Sequence, residues 1–248
     1  MLLSEFQALP FQDAALNCGQ KIQIIRGGNR SSKSLVAAVK VAAALTGETV
    51  KLSNGAGVAY TPAKRVYCAG KDFEHVSEKM AAPLFGSAIG IGEAPGLIAA
   101  DKIEMVSWFN KTLGWPAMVR LKSGAEVVFG QGFSNHGFRF AIIWADEKVL
   151  SDGRLLSMVA QADVFIWSTW PDSTNDELRR LCKLAAETGA EFVFRMQDNT
   201  TISEEKRASI LETWGALGSQ HLQARNLGEF PADPPAEEKA LDTEKPAP

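Results

Sequence analysis

Residues 22–25 (IQII) form a short apolar run, residues 26–34 (RGGNRSSKS) a turn of small and polar side chains, and the residues after them an amphipathic stretch with apolar positions at helical spacing. This pattern predicts a strand, a loop and a helix over 33–45 in direct succession. Four later runs have strand length: 66–69, 140–145 (FAIIWA), 164–169 (VFIWST) and 192–195. FAIIWA is apolar throughout rather than alternating, as expected of a strand buried on both faces. Helical patterns separate these runs at 72–82, opened by Asp72, at 174–188, and at 203–217, opened by Ser203. Residues 101–113 carry Ile103, Met105, Val106, Trp108 and Phe109 at a spacing that also predicts a helix. Hairpins are predicted in the Gly-, Asn-, Ser- and Thr-rich stretch after Thr46 and over 118–130, where Ser123-Gly124 supplies the turn. Pro10 interrupts 6–18 ahead of a short helix. Residues 87–96 (SAIGIGEAPG) read as a glycine-rich loop of the mobile kind. Alternating strands and helices predict one α/β domain with a mostly parallel central sheet flanked by helices.

Composition narrows this picture without changing it. The chain has 248 residues, 46% hydrophobic and 22% charged, enough for one large core. No apolar run approaches the length of a membrane span, and the start MLLSEFQALPFQD lacks the basic opening and long apolar core of a signal peptide, so a cytosolic protein is expected. Cys18, Cys68 and Cys182 are isolated, which argues for core thiols rather than a disulfide framework or a metal site. Residues 231–248 hold five of the eleven prolines and five acids against two lysines. They read as a disordered acidic tail behind a domain spanning 1–230. The net charge of −3 resides in that tail, since the body carries 24 basic and 24 acidic residues. A neutral body disfavours tight passive wrapping of nucleic acid, which needs clustered Lys and Arg to displace counterions.

The candidate chemistry begins in the first loop. Gly27, Gly28, Asn29, Arg30, Ser31, Ser32, Lys33 and Ser34 follow the phosphate-binding spacing G-x-x-x-x-G-K-[ST], with Ser32 in place of the second glycine. Successive backbone N–H groups at a helix N-terminus suit an anion there. Lys33 would reach the β- and γ-phosphates of ATP, and Ser34 would offer its hydroxyl to Mg2+. The plainer alternative is a small-residue turn capped by Ser31 or Ser32 ahead of a core helix. Ser32 either is tolerated in a slightly relaxed loop or hinders close phosphate approach, and tolerance is the expectation. Asp146-Glu147 at the end of FAIIWA supplies the second half of the motif: Asp146 for the metal ion and Glu147 to orient and deprotonate water. On its own that pair would be an ordinary acidic strand exit, but together with the loop it points to nucleotide hydrolysis.

Weaker candidates surround these. Phe11 and Gln12, just ahead of the first strand, could stack on adenine and pair with its edge, or be a core ring beside a surface amide. Ser168 and Thr169 end a strand where a hydroxyl can sense the γ-phosphate. His136, in GFSNHGF, has no second ligand at metal spacing, and His75 and His221 offer less still.

Taken together, PFQ ahead of GGNRSSKS, then IIWADE, FIWSTWP, QDNTTISEEKRASIL and NLGEF resemble the ATPase domain of a tailed-phage large terminase, the motor that packs DNA into a procapsid. The resemblance covers about residues 5–230. It implies a P-loop NTPase fold of the RecA/ASCE-like kind and an ATP-hydrolysing motor that translocates double-stranded DNA. Of the site residues it implies Lys33 on phosphate, Ser34 and Asp146 on Mg2+, Glu147 on water, Gln12 on adenine, Thr169 in coupling, and Arg30 neutralising γ-phosphate charge. The partners implied are a portal protein, a small terminase subunit, neighbouring copies in a ring and a separate nuclease, with the motor in the host cytoplasm and transiently at the procapsid portal. Such large subunits normally continue past G-E-F into a nuclease domain, whereas here an acidic tail follows, so no cutting activity is expected. A helicase-like translocase and a non-hydrolysing, nucleotide-binding assembly scaffold are the alternatives.

Overall fold

The computed structural model describes residues 1–28, 30–132, 138–147, 154–171, 176–216, 226–228 and 230. Asn29, His136, His221, Glu229, the outer ends of the expected helices 174–188 and 203–217, and the acidic tail lie outside the described residues.

An eight-stranded sheet organises the chain. In sequence order its strands are β1 (Ile22–Gly27), β4 (Arg65–Gly70), β5 (Ile103–Asn110), β6 (Trp115–Leu121), β7 (Glu126–Gln131), β8 (Phe140–Asp146), β9 (Ala162–Thr169) and β10 (Glu191–Phe194). Their order across the sheet is β10-β1-β9-β8-β4-β7-β6-β5. The six strands from β10 to β7 run parallel, and β6 and β5 complete one edge antiparallel. The small hairpin of β2 (Val50–Lys51) and β3 (Gly57–Val58) stands apart, as its turn-rich sequence predicts. The short helix after Pro10 is α1 (Asp13–Leu16).

Helices cover both faces, which explains the unbroken apolar strands. In β8, Ile142 and Trp144 face the core under α2 (Lys33–Thr46), while Phe140, Ile143 and Ala145 face the core under α5 (Arg154–Gln161) and α6 (Asp176–Glu187). Tyr67 and Ala69 of β4 likewise point away from Val66 and Cys68. Helix α2 is dominated by alanine and valine, so its backbone can lie close on the sheet; eleven of its fourteen residues are buried. The three cysteines are free thiols. Among the described residues no helix is long and apolar enough to cross a membrane.

Three expectations change. Within residues 101–113 the chain forms strand β5 (Ile103–Asn110) instead of a helix. A register shift between Ile103 and Met105 leaves Glu104 and Met105 both exposed, so the inward positions Ile103 and Val106 fall three apart and imitate a helical repeat. Beyond the shift burial alternates, with Val106, Trp108 and Asn110 half-buried and Ser107 and Phe109 exposed, although the pairing with β6 shifts again between Ser107 and Trp108 and between Trp108 and Asn110. The helix opened by Asp72 runs past residue 82: α3 (Phe73–His75) widens into a π-helical stretch (Val76–Ala81) and continues as α4 (Ala82–Phe85). The loop over 87–96 is tied down rather than loose. Ser87 N–H donates to the Ala94 carbonyl at 2.9 Å, and a Cβ on Gly96 would sit 2.4 Å from the Phe85 nitrogen, so glycine permits the close return.

Candidate functional site

The ends of β1, β9 and β8 meet at one edge of the sheet, where Arg26 lies level with Thr169 and Ser168 with Asp146. Open α/β sheets bind ligands at that carboxyl edge. Strand β1 ends in Gly27, where a Cβ would stand 2.4 Å from the Phe194 carbonyl oxygen and 2.6 Å from Ser31 Oγ, so only glycine fits. The chain turns back through two left-handed residues, Arg30 (φ 62°) and Ser32 (φ 63°), and enters α2, whose first helical bond runs from Val36 N–H to the Ser32 carbonyl. The amides ahead of that bond and the positive end of the helix dipole face the loop. Ser31 is fully buried and its hydroxyl has no partner among the described residues. Serine tolerates the left-handed conformation at position 32 because its hydroxyl is used twice: Oγ donates to the Ser31 carbonyl (2.6 Å) and accepts from Gln12 Nε2 (2.9 Å). No side-chain cap forms at Ser32, which removes the simple capped-turn reading.

Lys33 and Ser34 connect this loop to the acidic pair. Lys33 Nζ lies 3.0 Å from Glu147 Oε1, and Ser34 Oγ donates to Asp146 Oδ1 at 2.7 Å. Glu147 also takes a left-handed backbone (φ 59°), held by its N–H on the Ser168 carbonyl (2.7 Å) and by Trp167 Nε1 donating to its own carbonyl (2.8 Å). Arg30, Ser32 and Glu147 are the non-glycine residues with positive φ among those described, and all three fall at this site. Backbone strain collected in one place marks a site held in a required shape.

The remaining candidates are brought in with different degrees of engagement. Gln12 is buried, with Oε1 accepting from Leu9 N–H (2.9 Å) and Nε2 bonded to Ser32, so in this conformation its amide is committed to the protein. The Phe11 ring packs edge-on against Phe194 at 5.0 Å. Thr169 is buried and donates to the Trp170 carbonyl (3.1 Å). Ser168 donates to Asp146 Oδ1 and accepts from Trp144 Nε1 (2.8 Å). Arg30 is exposed.

Several residues that support the site carry no signal of that role in the sequence. His75, a weak candidate by sequence, places Nε2 2.8 Å from Asp146 Oδ2 and is buried. Asn199, within QDNTTIS, donates from Nδ2 to the Arg30 carbonyl (2.7 Å) and thereby holds the loop from the far side. Gly228 of NLGEF takes φ 67° and packs where a Cβ would stand 2.7 Å from Gly27 Cα. Its carbonyl accepts from Arg26, whose guanidinium lies over Phe230 and pairs with Glu191 at 2.6 Å. These partners stand up to 202 positions apart, which leaves no local pattern to read.

A hard divalent cation fits the hydroxyl and carboxylate of Ser34 and Asp146. Among the described residues no group of three or more His, Cys, Asp or Glu could hold an ion, so most of a metal shell here would come from ligand oxygens and water, which is how Mg2+ is usually held beside phosphates. A separate cavity of about 390 Å³ lies at the other end of the sheet, between the starts of β8 and β9 and the later turns of α2. Its Lys40 donates to the carbonyls of Ala15 (2.6 Å) and Cys18 (2.9 Å); burial pushes that lysine down to about 8, against the pull of nearby Cys18.

Sheet order and flanking helices define an α/β protein with an eight-stranded, mostly parallel central sheet, an architecture consistent with a P-loop NTPase fold. Solved structures of the large terminase from a thermophilic bacteriophage share it. One crystal form superposes with a TM-score of 0.62 at 13% identity, covering 90% of this chain and 53% of that one. The same terminase in complex with ADP gives 0.61 at 13% identity, and in complex with ATP-gamma-S 0.59 at 15%, with the same coverage. The chain thus spans about half the length of these terminases. Neither family models nor curated protein sequences match it.

Proposed function

We propose that this chain binds and hydrolyses ATP with Mg2+ as the motor subunit of viral DNA packaging, moving double-stranded DNA into a procapsid. The observation that carries this reading is the convergence of Lys33 and Ser34 on Glu147 and Asp146, residues more than a hundred positions apart, at the N-terminus of α2. The likeness in fold to a terminase with ADP and with ATP-gamma-S supports it.

In this mechanism the α2 amides and Lys33 bind the β- and γ-phosphates, and Ser34 and Asp146 hold Mg2+. The ion, when bound, neutralises charge on the phosphate oxygens. Glu147 orients a water molecule and accepts its proton as the water oxygen bonds to the γ-phosphorus and the bond from that phosphorus to the bridging oxygen breaks, with ADP as the leaving group. For that it must part from Lys33, so phosphate binding, by taking the lysine, frees the base. Arg30, exposed at the loop, neutralises γ-phosphate charge, and Asn29 belongs to the same phosphate loop by its position in the sequence. Gln12 contacts adenine by giving up its bond to Ser32. Thr169 couples hydrolysis to movement. Portal protein, small terminase subunit and further copies in a ring are the partners of this reading, with work in the host cytoplasm and at the portal.

The test is nucleotide binding and steady-state ATPase of wild type and Lys33→Ala, with and without double-stranded DNA. Loss of binding in the variant and DNA-stimulated turnover without strand separation are expected. Equal nucleotide affinity in both proteins refutes the site. Strand separation would instead make the chain a helicase, and binding without turnover a scaffold.

A further inference from the structure

We infer that His75 is a positioning residue for the carboxylate that holds the metal ion, fixing which oxygen of Asp146 faces Ser34. The inference rests on the proposed Mg-ATP site and adds a residue to it. Asp146 is almost completely buried, and its two oxygens are treated differently. Oδ1 receives the hydroxyls of Ser34 and Ser168, and Oδ2 receives His75 Nε2 at 2.8 Å. An ionised carboxylate only accepts, so Nε2 carries the hydrogen of that bond. With Oδ2 pinned from behind, the group cannot rotate to exchange its oxygens, and Oδ1 stays beside the Ser34 hydroxyl. Partners of this kind, which orient a ligating group without touching the ion, typically change metal affinity by roughly ten- to a hundredfold when removed.

The histidine is itself held in place from three directions. Asp72 Oδ1 accepts from its backbone N–H at 2.7 Å, capping the helix turn on which it sits. Phe73, two residues before it, stacks on Phe109 (4.3 Å between centroids, 13° between planes) and faces Trp115 at 5.7 Å, while Ser77 Oγ donates to the Gly114 carbonyl at 2.7 Å. The β5–β6 hairpin therefore braces the turn. Strand β4 ends at Gly70, where a Cβ would stand 3.0 Å from His75 Cδ2 and 2.7 Å from Val76 Cγ2, so the strand approaches the imidazole as closely as glycine permits. A residue ordered this thoroughly against a single carboxylate is arranged to aim it.

The test titrates a fluorescent ATP analogue into the full chain, first in EDTA and then across a Mg2+ series at fixed pH, for wild type and three variants. His75→Phe keeps the ring but has no donor, His75→Asn keeps polarity but ends short of Asp146, and His75→Gln places an amide nitrogen near the position of Nε2. The Phe and Asn variants are expected to need about tenfold or more Mg2+ for the half-point of the metal-dependent gain in affinity. Affinity in EDTA should stay within about twofold in every variant, and Gln should recover most of the Mg2+ response. If the Phe variant does not fold, Asn against Gln decides. Wild-type Mg2+ response in Phe or Asn overturns the inference, as does an equal loss of affinity with and without metal, which would mark a general structural role. Failure of the underlying reading looks different: wild type then binds no nucleotide, or binds it equally well after Lys33→Ala.

Discussion

Replacing Ser32 with glycine restores the residue usual at that point of a phosphate loop, yet the structure predicts that the change destabilises the protein. A non-glycine residue in the left-handed region costs about 1–2 kcal/mol, and Ser32 sits there at φ 63°. Glycine recovers that but adds freedom to the unfolded chain, a loss of about 0.4–1 kcal/mol, so the backbone gain is roughly 0.5–1 kcal/mol. Against it stands the Ser32 hydroxyl, which accepts from Gln12 Nε2 at 2.9 Å. Gln12 is only 2% exposed, and its amide donor would be left unpaired at a cost of about 1–3 kcal/mol. The net expectation for Ser32→Gly is a loss of about 1 kcal/mol, near 2–4 °C in Tm for a chain of this size. The signature is the coupling: in a Gln12→Met background no donor is stranded, and the same change becomes neutral or slightly stabilising. Urea unfolding followed by tryptophan fluorescence on the four proteins of this cycle should give a coupling of about 1–3 kcal/mol. A stabilising Ser32→Gly in the wild-type background, or equal effects in both backgrounds, refutes the reasoning.

Glu147→Gln should lower ATP turnover by about a hundredfold or more in steady-state assays, while nucleotide affinity holds or rises because Lys33 no longer pairs with a carboxylate; unchanged turnover removes Glu147 from the role of base. Lys40 carries a pH signature. Burial lowers it from 10.5 to about 8, so between those values the unfolded chain holds a proton that the folded chain has released, and stability from this group rises with pH. The buried thiols Cys68 and Cys182, both raised by burial and Cys182 to about 12, act oppositely above about pH 9, so the quantity to measure is the difference in unfolding free energy between wild type and Lys40→Met. That difference should grow in favour of wild type from about pH 8 upward, and a flat difference refutes the assignment.

Loop, helix and strand-end acids are legible in the sequence because they are local. A phosphate loop needs small residues, a lysine and a hydroxyl at fixed offsets, and β8 needs an unbroken apolar run because helices cover both of its faces. The spacing of Lys33, Ser34, Asp146 and Glu147 therefore identifies the four side chains that the fold brings together. Strand β5 imitates a helix for an equally local reason, since a bulge moves its inward positions to a helical interval. Only the tertiary structure decides what surrounds these residues. His75 meets Asp146 across 71 positions, Asn199 reaches Arg30 across 169, and Gly228 backs Gly27. A pairwise bond between distant elements depends on strand order and helix packing and leaves no periodic trace along the chain. The left-handed backbones of Ser32 and Glu147 are accompanied by bonds to partners outside their own segments, Gln12 for one and Trp167 with Ser168 for the other.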